Sequence, residues 1–330
     1  MPWGCRRQQS GQGGLRTEAA AMASTADTTG QHVHTLLAAH SKRLVKLHPQ
    51  VLEDRDPEPL HQMRVAMRRL RTCLIQFAPA LDLPAGVSAQ RLARSGRRLG
   101  LARDLDVLRE RLDTRLLPRL SDAETRQLKP VFKRLKRERR DAQHELRSEL
   151  HSGRYLKLLQ ALQGWLRDPS FTPLGEQPLS DWLPEWQWPW LGTLLLHPAW
   201  WLTDGTGAEE QELLHELRKG IKGARYRLEN LQPASGDTAL SWVERLKRAQ
   251  ELLGDLHDLA VLRDAIEQQL PQTLATQMPE LHALLVEQQG SSWSGWRALA
   301  PHLLDPGERR QLLLGLLQDQ ANSSPQRATV

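Results

Sequence analysis

Cysteine is nearly absent. Cys5 and Cys73 are the only two in 330 residues, which excludes a disulfide framework or a cysteine-rich zinc site and suits a reducing cytoplasm. Phenylalanine (3) and tyrosine (2) are scarce, and no alternating apolar run marks a strand. Long hydrophobic runs are missing too. The stretch from Trp190 to Leu202 is interrupted by His197 and Pro198 and is shorter than the ~18 residues a membrane span needs. The N-terminus carries arginines without a continuous apolar region, so no secretory signal is expected. No glycine-rich loop ends in Lys-Ser or Lys-Thr, which removes the commonest nucleotide-phosphate cradle. Acids do not dominate: Lys plus Arg number 45 against 39, a formal charge of +6. That balance favours a polyanionic partner, and the local clustering of charge says more than the total.

The clustering is strongest between Leu60 and Arg71. At 100° per residue, His61, Arg64, Arg68 and Arg71 fall within roughly 80° of arc on one helix side. Met63, Met67, Leu70, Leu74 and Phe77 gather on another. The same design returns 154 residues later, where His215, Arg218, Lys222 and Arg225 match those four positions. The register then holds into a second block. Leu99–Leu108 aligns with Leu253–Leu262, with six of ten positions identical, and Arg91 and Arg94 meet Arg245 and Arg248. One offset kept across two blocks reads as an internal duplication.

The rest of the chain reads as helices. Met1 to Gly30 is rich in Gly, Ser, Thr and Ala and is expected to be a disordered tail (residues 1–30). Met22-Ala23-Ser24 is expected to be the translation start. A first helix is expected over about 31–48. Asp54–Pro59 reads as a turn and helix start, with Asp56 as N-cap and Pro57 in the first helical position. The basic helix follows and stops near Pro79. A third helix carries Arg91, Arg94, Arg98 and the Leu-Gly block.

Ser121-Asp122-Ala123-Glu124 matches a capping box for a fourth helix. On it Lys133, Arg137, Arg140, His144 and Arg147 are spaced 4, 3, 4, 3 and share a side. They either extend an anion site or form a solvated surface neutralised by neighbouring acids. Residues 166–208 form a Trp- and Pro-rich insert, with Trp182, Trp186, Trp188, Trp190, Trp200 and Trp201. No Lys or Arg lies between Arg167 and Arg218, so hydrophobic packing is expected there rather than base stacking. Glu209 to Leu231 reads as the second basic helix, followed by a helix to about Gln269. Thr273–Gln289 and Pro306–Gln320 read as closing helices around a loop at Gly290–Trp296, and 321–330 as a tail. The fold class expected is an all-α bundle, with helices over 31–165 and 209–320 on either side of the insert.

The duplicated motif resembles the CHAD family, the conserved histidine α-helical domain. The family pattern is a His, an Arg three later and a basic cluster, followed by a Leu-Gly…Asp…Val stretch, the whole occurring twice. The resemblance spans about 31–320. It implies two pseudo-twofold-related helical bundles of long antiparallel helices, 31–165 and 209–320, and a basic groove that binds inorganic polyphosphate without catalysis; no cofactor is expected, and no carboxylate or histidine cluster marks a metal site. It also implies a cytoplasmic place, at polyphosphate granules or beside polyphosphate-metabolising proteins.

On this reading the polyphosphate-binding residues are His61, Arg64, Arg68, Arg69, Arg71, Arg91, Arg94, Arg98, Lys133, Arg137, Arg140, His215, Arg218, Lys219, Lys222, Arg225, Arg245 and Arg248. Arginine supplies forked donors and lysine a point charge for phosphate oxygens. The two histidines either bond phosphate or fix neighbouring helices. Asp104 and Asp258, matched across the repeat, are expected to orient arginines. His257-Asp258 resembles a metal-phosphohydrolase pair, but its counterpart is Arg103-Asp104, and arginine ligates no metal. Two alternatives stand beside polyphosphate binding. A nucleic-acid-binding helical protein is one, because phosphate contacts carry no sequence information. The other is a phosphoanhydride hydrolase, against which stands the lack of a Glu-x-Glu-x-Lys strand of the triphosphate-tunnel type.

Overall fold

The computed structural model describes residues 28–205, 207–232 and 236–323. Among them the chain is all-helical, with two isolated β-bridges, Thr28 to Pro178 and Leu81 to Phe171. No described helix is long and apolar enough to cross a membrane. The expected tail lies outside the described residues up to position 27, and the same holds for 324–330 of the C-terminal tail.

Helix α1 (Thr29–Glu53) starts two residues earlier than its apolar periodicity predicts. Thr28 and Gln31 form a capping box, and Thr29 and Gly30 are already buried. It ends at Asp54, whose φ of 55° reverses the chain. Helix α2 (Pro57–Gln76) starts as expected, with the Asp56 carboxylate accepting from the Glu58 amide at 2.8 Å and Pro57 leading the first turn. Its buried side is Leu60, Met63, Ala66, Met67 and Leu70. Helices α3 (Ala89–Arg111), α4 (Asp122–Gln127), α5 (Lys129–Leu150) and α6 (Gly153–Arg167) complete the first half.

The capping box at α4 forms only in part. Ser121 accepts from the Glu124 amide, but the Glu124 carboxylate turns away and accepts from the Glu280 and Leu281 amides at 2.8 Å each. Glu280 in return accepts from the Ser121 amide at 2.7 Å. Two helix N-termini distant in sequence therefore cap each other, and the buried Glu124 holds donors that would otherwise be orphaned.

The second half contains α7 (Leu183–Leu195), α8 (Ala208–Asn230), α9 (Gly236–Glu267), α10 (Leu274–Gln277), α11 (Pro279–Leu304) and α12 (Pro306–Ser323). The loop expected at Gly290–Trp296 is instead the middle of α11. Trp296 is buried and stacks on Trp200 with ring centroids 5.2 Å apart. A Cβ on Gly295 would come within 2.9 Å of Leu252. Burial of the indole and close approach of α9 outweigh the weak helix preference of Gly and Ser there.

The core falls into two clusters that do not divide at the sequence boundary. The first combines α1–α3, α5 and α6 with Leu183 and Trp186 of α7, Leu231, Leu259, Leu262, Ile266 and Leu274–Leu285; the second joins Leu191 and Leu194 of α7, α8, the first half of α9, the end of α11 and Leu312. Helices α7, α9 and α11 thus run through both. In the insert, Trp186 and Trp200 are buried as expected and Trp190 is half-buried, while Trp182, Trp188 and Trp201 stay exposed.

Candidate anion-binding site

Helices α2 and α8 lie against each other through polar contacts. The Asn230 side-chain amide donates to the Gln76 carbonyl oxygen at 3.0 Å, and the Gln76 amide donates to the Arg227 backbone at 3.2 Å. Gln76 and Asn230 are themselves matched by the 154-residue offset. The cationic sides of the two helices therefore meet.

Arg64 pairs with Asp104 of α3 at 2.6 Å. Its guanidinium passes over Gly100, where a Cβ would stand 3.7 Å from Nη2. Arg218 passes in the same way over Gly254, also at 3.7 Å, and is attracted by Asp258 of α9. The matched arginines thus cross the matched glycines and lean toward the matched aspartates. Arg68 shares a hydrogen bond with Tyr226 of α8, and burial disfavours its charge.

Lys222 is half-buried in the middle. Burial first, then repulsion from Arg68, Arg218 and Arg64, pushes its amine down to about 6, against a weaker opposing pull from Asp104. Among the described residues, Arg68, Arg218 and Lys222 have no carboxylate within 4 Å. Such crowding of desolvated charge is costly without a counter-anion.

The histidines frame this cluster. Burial lowers His61, with Arg103 as the next cause. Burial lowers His215 as well, followed by Arg218 and Lys219. The His215 ring lies 4.2 Å from His257, centroid to centroid. His257 is pushed down to about 4 by burial, Arg218 and His215. Arg103 Nε, Arg218 Nε and His215 Nδ1 are buried without a hydrogen-bond partner. The two guanidinium Nε–H groups are orphaned donors that call for an acceptor. Burial and the neighbouring guanidiniums hold these imidazoles toward the neutral form, and an arriving anion would favour their charged form. No group of three or more His, Cys, Asp or Glu able to hold a metal occurs among the described residues.

The remaining candidates lie elsewhere or are engaged. Arg69 and Arg225 both reach Glu229, at 2.7 and 2.8 Å, and both lie over the Tyr226 ring. Lys219 pairs with Glu216. Arg71 is exposed near Arg227. On α3, Arg91 and Arg98 lie roughly half a turn round from Gly100. Arg98 pairs with Glu145 of α5, while Arg91 and Arg94 are exposed. Arg245 pairs with Glu308 of α12 at 2.8 Å and Arg248 with Glu251 at 3.3 Å.

Lys133, Arg137 and Arg140 are exposed on α5. Of these, Arg140 lines a cavity of about 910 Å³ between the α1–α2 turn, α3 and α5. Asp54, Asp56, Asp106, Glu110 and Asp113 share that lining, and Arg139 is clamped there by Asp54 and Asp106. Its charge is mixed, unlike that of the α2–α8 cluster. Sequence reasoning missed Arg103, Tyr226 and His257 as members of the cluster. Arg103 and His257 occupy matched positions in the Leu-Gly block, so the repeat carried the signal for two of the three.

Known proteins fit this architecture. A crystal structure of the CHAD domain from the plant Ricinus communis aligns with a TM-score of 0.58 at 25% identity, covering 90% of this chain and 94% of that one. PptA from Streptomyces chartreusis aligns with a TM-score of 0.60 at 17% identity, covering 83% and 99%, a likeness of fold alone. No curated protein sequence matches. The family model described as CHAD domain matches residues 35–267, the span that holds both basic helices and both Leu-Gly blocks. The chain belongs to the CHAD domain family.

Proposed function

We propose that this protein binds linear inorganic polyphosphate, without catalysis, in the basic cleft between α2 and α8. The family is known for polyphosphate binding. The observation that carries the reading is the gathering of Arg64, Arg68, Arg218 and Lys222, opposed among the described residues by Asp104 and Asp258. A polyphosphate chain brings about one charge per phosphate and terminal oxygens suited to guanidinium forks. It offers no base edges, and of the cluster's aromatic rings Tyr226 already lies under Arg69 and Arg225 while His215 and His257 lie against each other. The self-contact of the matched pair Gln76–Asn230 supports a twofold relation between the two helices, which would let one anion touch both repeats. Asp104 leans on Arg64 and Asp258 on Arg218, which suits positioning of cations rather than attack on a phosphoanhydride. Bound in this way, the protein would attach to polyphosphate granules or modulate their turnover.

Competition at several salt concentrations tests the reading. Long-chain polyphosphate should displace a labelled single-stranded DNA at far below equal phosphate concentration. The logarithm of affinity should fall with the logarithm of salt with a slope of about −3, if four to five cations each release about 0.7 counterion. Tighter DNA binding than polyphosphate binding would favour a nucleic-acid protein instead. Phosphate release in the presence of magnesium or manganese would favour a hydrolase.

A further inference from the structure

The Lys222 amine is set apart from the other lysines of α8 and α9. Lys219, one turn away, is exposed and ion-paired with Glu216, and Lys247 pairs with Glu244. Lys222 is half-buried, one helical turn after Arg218 and one before Tyr226, which bonds Arg68. Arg64 and Arg68 bear on it from α2 and Arg218 from its own helix, while His257 of α9, pushed down to about 4, stands uncharged beside them. The one acid turned toward it, Asp104 of α3, is already bonded to Arg64 at 2.6 Å. A desolvated lysine beside other cations holds a free lone pair at neutral pH and is a nucleophile. The same guanidiniums that keep it uncharged would stabilise an anion made from it.

We propose that Lys222 Nζ is a carbamylation site, taking up carbon dioxide to form a carbamate cradled by Arg68, Arg218 and Arg64. In this reaction the nitrogen lone pair forms a bond to the carbon of CO2. One C–O π pair moves onto oxygen, and the amine releases one proton to solvent. No oxidant, reductant or leaving group is involved. The product has charge −1 and two coplanar oxygens, the geometry a guanidinium fork accepts. Arg218 Nε, a buried donor without a partner, is available to it. The site centre changes from an uncharged amine to an anion, which relieves the repulsion among the three arginines without any phosphate ligand.

This goes beyond polyphosphate binding and has one consequence for it. A carbamate would occupy the donors that phosphate needs, so dissolved carbon dioxide and polyphosphate would compete.

The test is carbon-13 NMR of the full-length protein equilibrated with ¹³C-bicarbonate near neutral pH, followed by alkyl trapping and peptide mass spectrometry. A carbamate carbonyl resonance is expected that disappears in Lys222→Arg and persists in Lys219→Arg, with the trapped mass on the peptide containing Lys222. Lys222→Arg keeps a cation and a long side chain, and circular dichroism verifies its fold. No resonance at saturating bicarbonate, or one that survives Lys222→Arg, overturns the proposal. Polyphosphate should erase the resonance in the wild-type protein. If the resonance depends on Lys222 but polyphosphate leaves it intact, the carbamate stands and the polyphosphate reading fails. If polyphosphate binds with no resonance beforehand, the reverse holds.

Discussion

Two populations of arginine share the same helices and differ in their neighbours. Arg64, Arg68 and Arg218, with Lys222, are turned inward between α2 and α8, where burial and neighbouring cations disfavour the charge of Arg68, Arg218 and Lys222. Arg98, Arg245 and Arg248 sit on the outer sides of α3 and α9, each within reach of a glutamate. Both populations have members matched across the 154-residue offset, Arg64 with Arg218 and Arg68 with Lys222 in the inner set, and Arg245 and Arg248 with Arg91 and Arg94 in the outer. In sequence they look alike. The difference is that a glutamate answers each member of the outer set, whereas in the inner set Asp104 answers Arg64 and, among the described residues, Arg68, Arg218 and Lys222 have no carboxylate within 4 Å. A duplicated cation is therefore informative only when its tertiary neighbours are also cations.

The largest expected effect separates these populations directly. Replacing Arg64, Arg68, Arg218 and Lys222 together by Ala should weaken polyphosphate binding by at least about 100-fold, since each charge-assisted contact contributes about 1.5–3 kcal/mol. The helical circular-dichroism signal should remain. The outer triple change Arg98→Ala, Arg245→Ala and Arg248→Ala should alter affinity less than about threefold, because exposed ion pairs contribute little. Equal losses in the two variants, measured by titration calorimetry, would erase the distinction.

Acidity gives the next effect. In the free protein Lys222 loses its proton near 6, well below its ordinary 10.5, and an anion raises that value again. Binding then takes up a proton, and affinity falls as pH rises above about 6, by at most about tenfold per unit. For the unliganded protein the unfolded chain binds the extra proton between about 6 and 10.5. Its stability should therefore rise with pH through that window, by at most about 1.4 kcal/mol per unit from this group. Both slopes should shrink in Lys222→Met, as read from calorimetry and urea melts at several pH values.

Glu229 sharpens the comparison because it makes Arg69 and Arg225 resemble the outer set while they sit on the inner helices. Glu229→Gln should cost about 1–3 kcal/mol in a urea melt, since it strands two partly buried guanidiniums. It should leave polyphosphate affinity unchanged or raised; a loss as large as that of the quadruple variant would show that Arg69 and Arg225 belong to the site as they stand. The smallest effect concerns Gly254→Ala. A Cβ there meets Arg218 Nη1 at an ordinary 3.7 Å. The change should add up to about 1 kcal/mol of helix stability and move affinity by less than about threefold.

Particular residues show where sequence reasoning stops. Asp56 and Pro57 define the start of α2 by local chemistry, so the helix begins where the sequence predicts. Glu124 obeys no such local rule: its carboxylate caps α11 instead of its own helix, and no spacing reveals a partner 156 residues away. The run Gly290–Trp296 has the composition of a loop, yet the burial of Trp296 makes it helix. Cations spaced at helical intervals on α5 are legible as one side, but which acids oppose them is not.

By itself the sequence determined the all-helical class, the two cationic helix sides and the offset that relates them, because periodicity, capping and repetition act along the chain. The tertiary structure alone decided which of those cations would be stripped of water and left without carboxylates. Ion pairing and desolvation depend on distances in space, and Glu229 reaches Arg69, Glu145 reaches Arg98 and Glu308 reaches Arg245 only once the helices have packed.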